Sequence, residues 1–371
     1  MAHIYSGAAV FDGTNLVPDA TLRVEDGLVT GPGPGEVVQL DGGILAPGFL
    51  DLQVNGAGGR MVDGSCDAAM LAEMCAIHAG LGSTGILPTL ITETAEATGR
   101  VIAAGIKAAQ RRTPGFLGLH LEGPHLDPQR KGAHDVSLIR PMTEDDLVRL
   151  LDAAGKLPSL MVTLAPEGAS PDQITRLAGA GVIVSLGHSD CTHAAATAAI
   201  AAGARCVTHL FNAMSQLGNR EPGLVGAALT QPVHAGLIAD GIHVAPETIR
   251  IGMAACPDRL FLVSDAMATA GSDLTEFALN GRRILRRDGR LTLEDGTLAG
   301  ADLSLPRAVG VMIGLGTPPA VALAMATSRP AACLGRDGQL GHLTPGRVAD
   351  MVHLAPDSSL RGVWRAGQRI L

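Results

Sequence analysis

The chain has 371 residues, a formal net charge of −8 at pH 7 and 46% apolar residues, which suits a large barrel plus a small second domain. It has no basic run, so we do not expect nucleic acid as a partner. The most apolar helical run, Ala194–Ala204, is too short to span a bilayer, so we do not expect a membrane as a partner either. With no signal-peptide pattern and six cysteines without CxxC spacing, we expect a cytoplasmic protein with reduced thiols.

Both ends of the chain alternate short β-like runs with turns. The N-terminal end does so in IYSGAAVFDG and ATLRVEDGLVTG, and the C-terminal end in ADMVHL and LRGVWRAG. Neither end has enough apolar residues for a core of its own. We therefore expect the two ends to pair into one small β-sandwich domain made of residues 1–47 and 344–371, with residues 48–343 forming the second domain.

Eight short apolar runs follow one another in this second domain, and each has the length of a strand that is buried on both faces. They are GFLDLQVNG, GSTGILPTL, GFLGLHLEG, LMVTLAP, VIVSLGHS, CVTHLFN, HAGLIADG and LFLVSDAM. Helix-like stretches separate several of them, at Asp67–Ala79, Glu96–Gln110, Glu144–Ala154 and Pro171–Ala180. The pattern predicts an α/β protein with a (β/α)8 TIM barrel. A doubly wound sheet is the alternative, although no GxGxxG opens the first unit.

After the eighth run, the sequence changes character again. Residues Phe277–Gly300 contain two DG turns within alternating residues, which predicts a β-hairpin insertion. A final helix is expected near Leu305–Gly314.

Polar side chains close several of the eight runs, and in a (β/α)8 barrel these ends meet at one mouth. Glu122 closes the third run, His188 the fifth, and His209 lies late in the sixth, a ligand set that suits zinc or iron(II). Three protein ligands leave a position for a water, whose pKa the metal lowers. Asp265 closes the eighth run and is placed to take a proton and return it to a leaving amine, while His134 is placed to polarise a carbonyl.

The segment THLFNAMSQLGNREPG directly follows the sixth run and is dense in polar residues. A surface loop is one interpretation, because Asn, Gly, Ser and Pro are common turn formers. We favour an anion pocket, in which Arg220 offers a planar fork of donors and the backbone N–H groups around Asn212 and Ala213 add more. A single histidine is more often structural than a ligand, so the prediction depends on the whole set of strand ends.

Together these motifs resemble the N-acetylglucosamine-6-phosphate deacetylases of the amidohydrolase superfamily over essentially the whole chain. The motifs are PGFLDLQVNGAGG, LHLEGPHLDPQRKGAH, SLGHSD, THLFNAMSQLGNREPG, ADGIHV, VSDAMATAG and TLAG. The resemblance implies hydrolysis of the acetamide of N-acetylglucosamine 6-phosphate to glucosamine 6-phosphate and acetate, with one divalent metal, Zn²⁺ or Fe²⁺, in each subunit.

The resemblance also implies a role for each matching residue. Glu122, His188 and His209 would bind the metal. Asp265 would be the general base and then the acid, and His134 would contact the substrate. The substrate would further be held by Asn212, Ala213, Arg220, His243 and the backbone of Leu298, Ala299 and Gly300. A homodimer is implied, in which Arg220 and His243 reach the neighbouring active site.

The sequence departs from the wider superfamily at the end of the first run. Many amidohydrolases carry His-x-His there and bind a second metal, whereas this chain has Gln53 and Asn55. Neutral amides are poor ligands for zinc or iron, so we expect one tightly bound metal, with at most a weak second site. The resemblance assigns no role to His125.

Three alternatives stay open. The enzyme could deacetylate an epimeric amino-sugar phosphate, with the same metal site and different contacts to the sugar hydroxyls. A cyclic-amide hydrolase or a deaminase is less favoured, because those enzymes usually keep the His-x-His. A non-catalytic sugar-phosphate sensor is disfavoured, because a pure binder has no need for the intact set of Glu122, His188, His209 and Asp265.

Overall fold

The computed structural model describes all 371 residues, and the first 47 of them form the strands of two small sheets. These strands are β1 (His3–Ser6), β2 (Ala9–Phe11), β3 (Leu16–Val17), β4 (Leu22–Glu25), β5 (Leu28–Thr30), β6 (Glu36–Gln39) and β7 (Ile44–Pro47). Four of them make a sheet in the order β5-β4-β1-β6, while β2, β3 and β7 belong to a second sheet. Alternate residues of β4 are buried, as expected for a strand with one face on a core.

The barrel begins one residue after β7 and consists of eight parallel strands in chain order. They are β8 (Phe49–Val54), β11 (Ser83–Ile91), β12 (Leu119–Glu122), β13 (Leu160–Leu164), β14 (Ile183–Leu186), β15 (Cys206–Val207), β16 (His234–Leu237) and β17 (Leu260–Leu262), with a small ribbon of β9 (Gly56–Ala57) and β10 (Arg60–Met61) after the first. The ring closes where Val54 bridges Ala266 and the N–H of Asp265 donates to the carbonyl of Gln53 at 3.0 Å. The predicted TIM barrel is confirmed, and the alternative of a doubly wound sheet is wrong.

Ten α-helices accompany these strands, and the five that the sequence predicted are confirmed to within one residue at either end. They are α1 (Ala68–Gly80), α2 (Ala95–Gln110), α3 (Glu144–Ala154), α4 (Pro171–Gly179), α5 (His193–Ala201), α6 (Gly223–Thr230), α7 (Pro246–Ala255), α8 (Leu305–Gly314), α9 (Pro319–Ala326) and α10 (Ser328–Cys333). The start of α3 is fixed by a capping box, in which Thr143 and Asp146 each bond the backbone of the other. None of the helices combines the length and the apolar character that crossing a membrane requires.

The insertion after the eighth barrel strand is larger than predicted. Instead of one hairpin it is a four-stranded antiparallel sheet of β18 (Glu276–Leu279), β19 (Arg282–Arg287), β20 (Arg290–Leu293) and β21 (Leu298–Ala301). Its buried side chains, including Leu279 and Ile284, pack with Met267 and Ile91 from the barrel ends. The extra strands arise because the turns at Gly281, Gly289 and Gly296, all with positive φ, follow one another within 16 residues.

The C-terminal strands return to the N-terminal sheets. These are β22 (Met351–Leu354), β23 (Leu360–Arg365) and β24 (Gln368–Arg369), and β22 pairs antiparallel with β7, so one six-stranded sheet contains both ends of the chain. A separate core fills this region, where the rings of Tyr5 and Trp364 meet edge to face at 5.5 Å. The two sheets from both termini confirm the predicted fold class. The domain limits at 47/48 and 343/344 remain a proposal.

Candidate active site

A cavity of about 550 Å³ lies at the mouth formed by the C-terminal ends of the barrel strands. This is the face where enzymes of this fold place their chemistry. Most of the residues predicted from the sequence line it, namely Asn55, Glu122, His134, His188, His209, Asn212, Ala213, His243, Asp265, Leu298 and Gly300.

The centre of the cavity is a triangle made by one carboxylate and two imidazoles. Oε1 of Glu122 lies 3.0 Å from Nε2 of His188 and 3.1 Å from Nε2 of His209, and the two Nε2 atoms are 3.0 Å apart. All three residues are at least 94% buried. Burial opposes ionisation of Glu122, but the hydrogen bonds and charges of the two imidazoles outweigh it and hold its pKa well below the usual value. The carboxylate is therefore anionic.

The protonation of this triangle indicates a place for a cation. Nδ1 of His188 lies 2.8 Å from the carbonyl oxygen of Arg130, which can only accept, so Nδ1 carries the proton of the neutral ring. Its Nε2 then directs a lone pair at Glu122 and His209. Imidazoles bind a metal in the neutral form, and with both rings neutral at most one proton, on Nε2 of His209, is available to three acceptor atoms within 3.1 Å of one another. Two imidazole nitrogens and one carboxylate oxygen are suitable ligands for a divalent transition metal, which would relieve this repulsion.

His134 is the third imidazole in the cluster. Its Nε2 lies 4.0 Å from Oε1 of Glu122, and ligand atoms of Glu122, His134 and His188 lie within 4.8 Å of one another, so this set too has the composition of a metal site. However, Nδ1 of His134 accepts from the N–H of Thr92 at 3.2 Å, and a backbone N–H can only donate. Burial lowers the pKa of His134 to about 3, so the ring is neutral and its proton sits on Nε2. His134 therefore faces the cavity as a donor.

Asp265 is held by two side-chain amides from the first barrel strand. Its Oδ1 accepts from Nδ2 of Asn55 at 2.6 Å and from Nε2 of Gln53 at 3.2 Å, and Gln53 also donates to Oε2 of Glu122 at 3.2 Å. Neither bond involves Oδ2 of Asp265. Burial, together with the charge of Glu122, raises the pKa of Asp265 to about 6. That value suits a group that exchanges protons near neutral pH.

The backbone at the centre of the site is strained. His188, His209 and Asp265 all have left-handed backbone angles, with φ of 48°, 29° and 50°. Such a conformation costs a side-chain-bearing residue of the order of 1 kcal/mol or more. The surrounding barrel thus holds these three side chains in place against their local preference.

Two of the predicted substrate contacts lie on the loop after β15. Asn212 and Ala213 line the cavity, and the N–H of Ala213 has no acceptor within the chain. Arg220 is exposed and is not part of the cavity wall. His243, in contrast, lines the cavity of its own chain, where its Nδ1 donates to Asp240 at 2.7 Å. The expectation that a neighbouring subunit supplies His243 is therefore corrected.

At one of the predicted sugar contacts the side chain is turned away from the cavity. Leu298 and Gly300 line the cavity, whereas Ala299 is fully buried in the apolar cluster under the inserted sheet. Alternation along β21 explains this, since neighbouring residues of a strand point to opposite faces. The prediction concerned the backbone of Ala299, so it stays a prediction.

Several residues of the site were missed from the sequence. Thr92 follows the second strand and orients His134 through its N–H and its Oγ1, which lies 2.7 Å from Nδ1. A polar residue at a strand end was the signal that could have identified it. The cavity wall also contains side chains without such a signal, namely Ile91, Gln129, Ile238, Met267, Leu279 and Thr297.

His125, for which the sequence indicated no role, lies outside the cavity. It is 2% exposed, and its Nδ1 lies 3.2 Å from the carbonyl oxygen of Arg140. Its own carbonyl accepts from the N–H of Ala165 at 2.8 Å. His125 therefore links the start of the loop that carries His134 to its end at Arg140.

Known proteins resemble this chain over nearly its full length. The model of the amidohydrolase family matches residues 44–370. An N-acetylgalactosamine-6-phosphate deacetylase from Shewanella sp. (strain ANA-3) is 38% identical, over 98% of this chain and 95% of its own length. An N-acetylglucosamine-6-phosphate deacetylase from Haemophilus influenzae is 33% identical, over 94% and 89%. The crystal structure of N-acetylglucosamine-6-phosphate deacetylase from Pasteurella multocida aligns with a TM-score of 0.95 at 31% identity, covering 100% of this chain and 99% of that one. The chain therefore belongs to the amidohydrolase family.

Proposed function

We propose that the protein hydrolyses the acetamide of N-acetylglucosamine 6-phosphate, giving glucosamine 6-phosphate and acetate. The observation that carries the proposal is the triangle of Glu122, His188 and His209 beside Asp265, buried at the base of a cavity large enough for a small ligand. The names of the Haemophilus and Pasteurella relatives support the substrate.

Glu122, His188 and His209 would hold one divalent ion, Zn²⁺ or Fe²⁺. The alternative set that contains His134 is less suitable, because the proton on Nε2 of His134 faces the cavity. When bound, the ion supplies Lewis-acid chemistry, which polarises a carbonyl and lowers the pKa of water. We infer a single tight site, since Gln53 and Asn55 direct amide N–H groups, which cannot be ligands, at the two carboxylates.

Asp265 and His134 would carry the proton and orient the amide. Asp265 takes a proton from the attacking water as the bond from oxygen to the acetyl carbon forms. It then delivers that proton to the nitrogen as the carbon–nitrogen bond breaks, so that the amine leaves neutral. His134 donates from Nε2 to an oxygen of the substrate, either the carbonyl or a sugar hydroxyl.

The phosphate would bind at the loop after β15. The free N–H of Ala213, the Asn212 side chain and His243 face the cavity, and the backbone of Leu298–Gly300 lies along the sugar. We propose that Arg220, which is exposed in its own chain, reaches the cavity of a second subunit in a homodimer. We further propose a cytoplasmic location, which the six free and buried cysteines support.

The galacto epimer is a second candidate substrate. The Shewanella relative, named for N-acetylgalactosamine 6-phosphate, is more similar to this chain than the Haemophilus relative, named for the gluco epimer. The two sugars differ only in the orientation of one hydroxyl, so the metal-binding residues and Asp265 would serve both.

The test is acetate release by the purified protein from both epimeric phosphosugars, before and after chelation and with Zn²⁺ or Fe²⁺ restored. Metal-dependent release with the higher kcat/KM for the gluco epimer is the expected result. A higher kcat/KM for the galacto epimer would keep the reaction and change the substrate. No release with any metal from folded protein would refute the proposed function.

A further inference from the structure

A cluster of basic side chains lies at the opposite end of the barrel from the cavity. Arg205 precedes β15, His234 begins β16, and Arg259 precedes β17, so three consecutive strands start with a basic residue. The strand register keeps them adjacent, since the N–H of His234 donates to the carbonyl of Arg205 at 3.0 Å and the N–H of Ala235 to that of Arg259 at 3.1 Å. We call Arg205, His234, Arg259 and the nearby Arg329 the basal cluster.

The helix α10 brings the fourth member to these strand ends. Nη1 of Arg329 donates to the carbonyl of Leu260 at 3.1 Å, directly beside Arg259. The turn after α10 also approaches, because a Cβ at Gly335 would lie 4.0 Å from Nη1 of Arg205. Burial lowers the pKa of His234, and the charges of Arg205, Arg259 and Arg329 lower it further, as expected if the three guanidinium groups surround the ring.

The basal cluster is short of negative charge. Within 4.0 Å of its guanidinium groups there is one carboxylate, Oδ1 of Asp258, which is 4.0 Å from Nη2 of Arg329 on a side chain that is 93% exposed. Three arginines therefore face one distant and hydrated partner, although the chain as a whole is acidic. Such a concentration of positive charge favours the binding of an anion.

Polar atoms in the basal cluster also lack partners. Nδ1 of His234 and Nε of Arg259 are both buried and make no hydrogen bond within the chain. Buried nitrogen atoms are nearly always hydrogen-bonded in proteins, and each exception needs an explanation. The side chain of Arg259 makes one long hydrogen bond, 3.4 Å from Nη2 to the carbonyl oxygen of Leu229, so most of its guanidinium N–H groups remain available to a ligand.

We propose that the basal cluster is a second anion site, which binds inorganic phosphate or a phosphate monoester. Guanidinium forks bind phosphate oxygens in pairs, and a dianion with three or more acceptor oxygens balances three arginines better than a single carboxylate does. The bound anion would link the starts of three barrel strands to α10. This site is remote from the cavity and does not depend on the proposed function.

The test is calorimetric titration of the holoenzyme with inorganic phosphate. The variant Arg205→Gln/Arg259→Gln is compared with Arg111→Gln/Arg112→Gln, which removes two exposed arginines after α2 and thus the same charge. We expect the first variant to lose one binding event, or to weaken it roughly tenfold or more, and the second to keep it. Turnover should be unchanged in both, which separates this site from the cavity.

An isotherm that is the same for the wild type and the basal-cluster variant would overturn the proposal. Arg205→Gln alone guards against misfolding, because Arg205 is exposed. Unchanged phosphate affinity in that single variant would also count against the site. A parallel titration with glucosamine 6-phosphate distinguishes the two sources, since only a site for monoesters would lose affinity for the sugar phosphate in the variant.

Discussion

The bond from Asn55 to Asp265 allows a quantitative test of what sets the pKa of Asp265, the proposed general base. Asn55→Leu keeps a side chain of similar size but removes the donor 2.6 Å from Oδ1 of Asp265. Burial already raises the pKa of this carboxyl to about 6, and the Asn55 bond is one of the contacts that oppose the rise. Without it, the ionised carboxylate loses a charge-assisted hydrogen bond worth about 1.5–3 kcal/mol.

This energy converts directly into a pKa. Since one pKa unit corresponds to about 1.4 kcal/mol, the pKa of Asp265 should rise by roughly one to two units in the variant. The base must be ionised to accept a proton, so activity is lost as pH falls through this pKa. The acid limb of the variant's pH profile should therefore lie at a pH roughly one to two units higher, with a roughly two- to tenfold lower rate near neutral pH and a smaller deficit in alkali.

The assay is kcat/KM for acetate release as a function of pH, with the metal content of both proteins measured as the control. A bound cation lowers the pKa of Asp265 in both proteins, so the difference between the two acid limbs is the quantity of interest. Equal metal content with unshifted acid limbs would refute the argument that the amide keeps Asp265 ionised.

Three further predictions each concern a single substitution. Asp265→Asn should keep the metal and lose roughly a thousandfold in kcat, because the base and the acid vanish together; near-normal kcat would remove Asp265 from the mechanism. Arg220→Ala should raise KM about tenfold or more for the phosphorylated sugar only; an equal rise for the unphosphorylated sugar would contradict the phosphate role. Burial raises the pKa of Asp51 from 3.8 to about 7, so the wild type loses stability as pH rises through that interval. In denaturant titrations, the free energy of unfolding of Asp51→Asn, taken relative to that of the wild type, should increase by about 2 kcal/mol as pH rises from about 5.5 to about 8. The control is Asp337→Asn, which changes an exposed aspartate.

Much of the barrel could be predicted because each strand carries its own signal in the sequence, an unbroken apolar run. Strands that are buried on both faces must be apolar throughout, and β11 shows this with nine buried residues in a row. The few polar residues that end such runs, such as Glu122 and His188, are then conspicuous. Because parallel strand ends converge, sequence position alone was enough to bring these residues into one cavity.

The chemistry of the site could not be predicted in the same way, since it depends on contacts between distant segments. The proton on His188 is set by the carbonyl of Arg130, 58 residues away, and that on His134 by Thr92, 42 residues away. A motif gives the residue type but not its hydrogen-bond partner. The orientation of Ala299 likewise depends on the register of the inserted sheet, which turns alone do not determine.

The amides of the first strand have a role in the site although they are poor metal ligands. Imidazoles at positions 53 and 55 would offer lone pairs to a second cation, which would also hold Asp265 ionised. Gln53 and Asn55 instead donate to Oδ1 of Asp265, and Gln53 donates to Glu122 as well. A buried carboxylate next to another one needs some source of positive potential to stay ionised near neutral pH. The two N–H donors supply it without a cation, which leaves Oδ2 of Asp265 free for the proton.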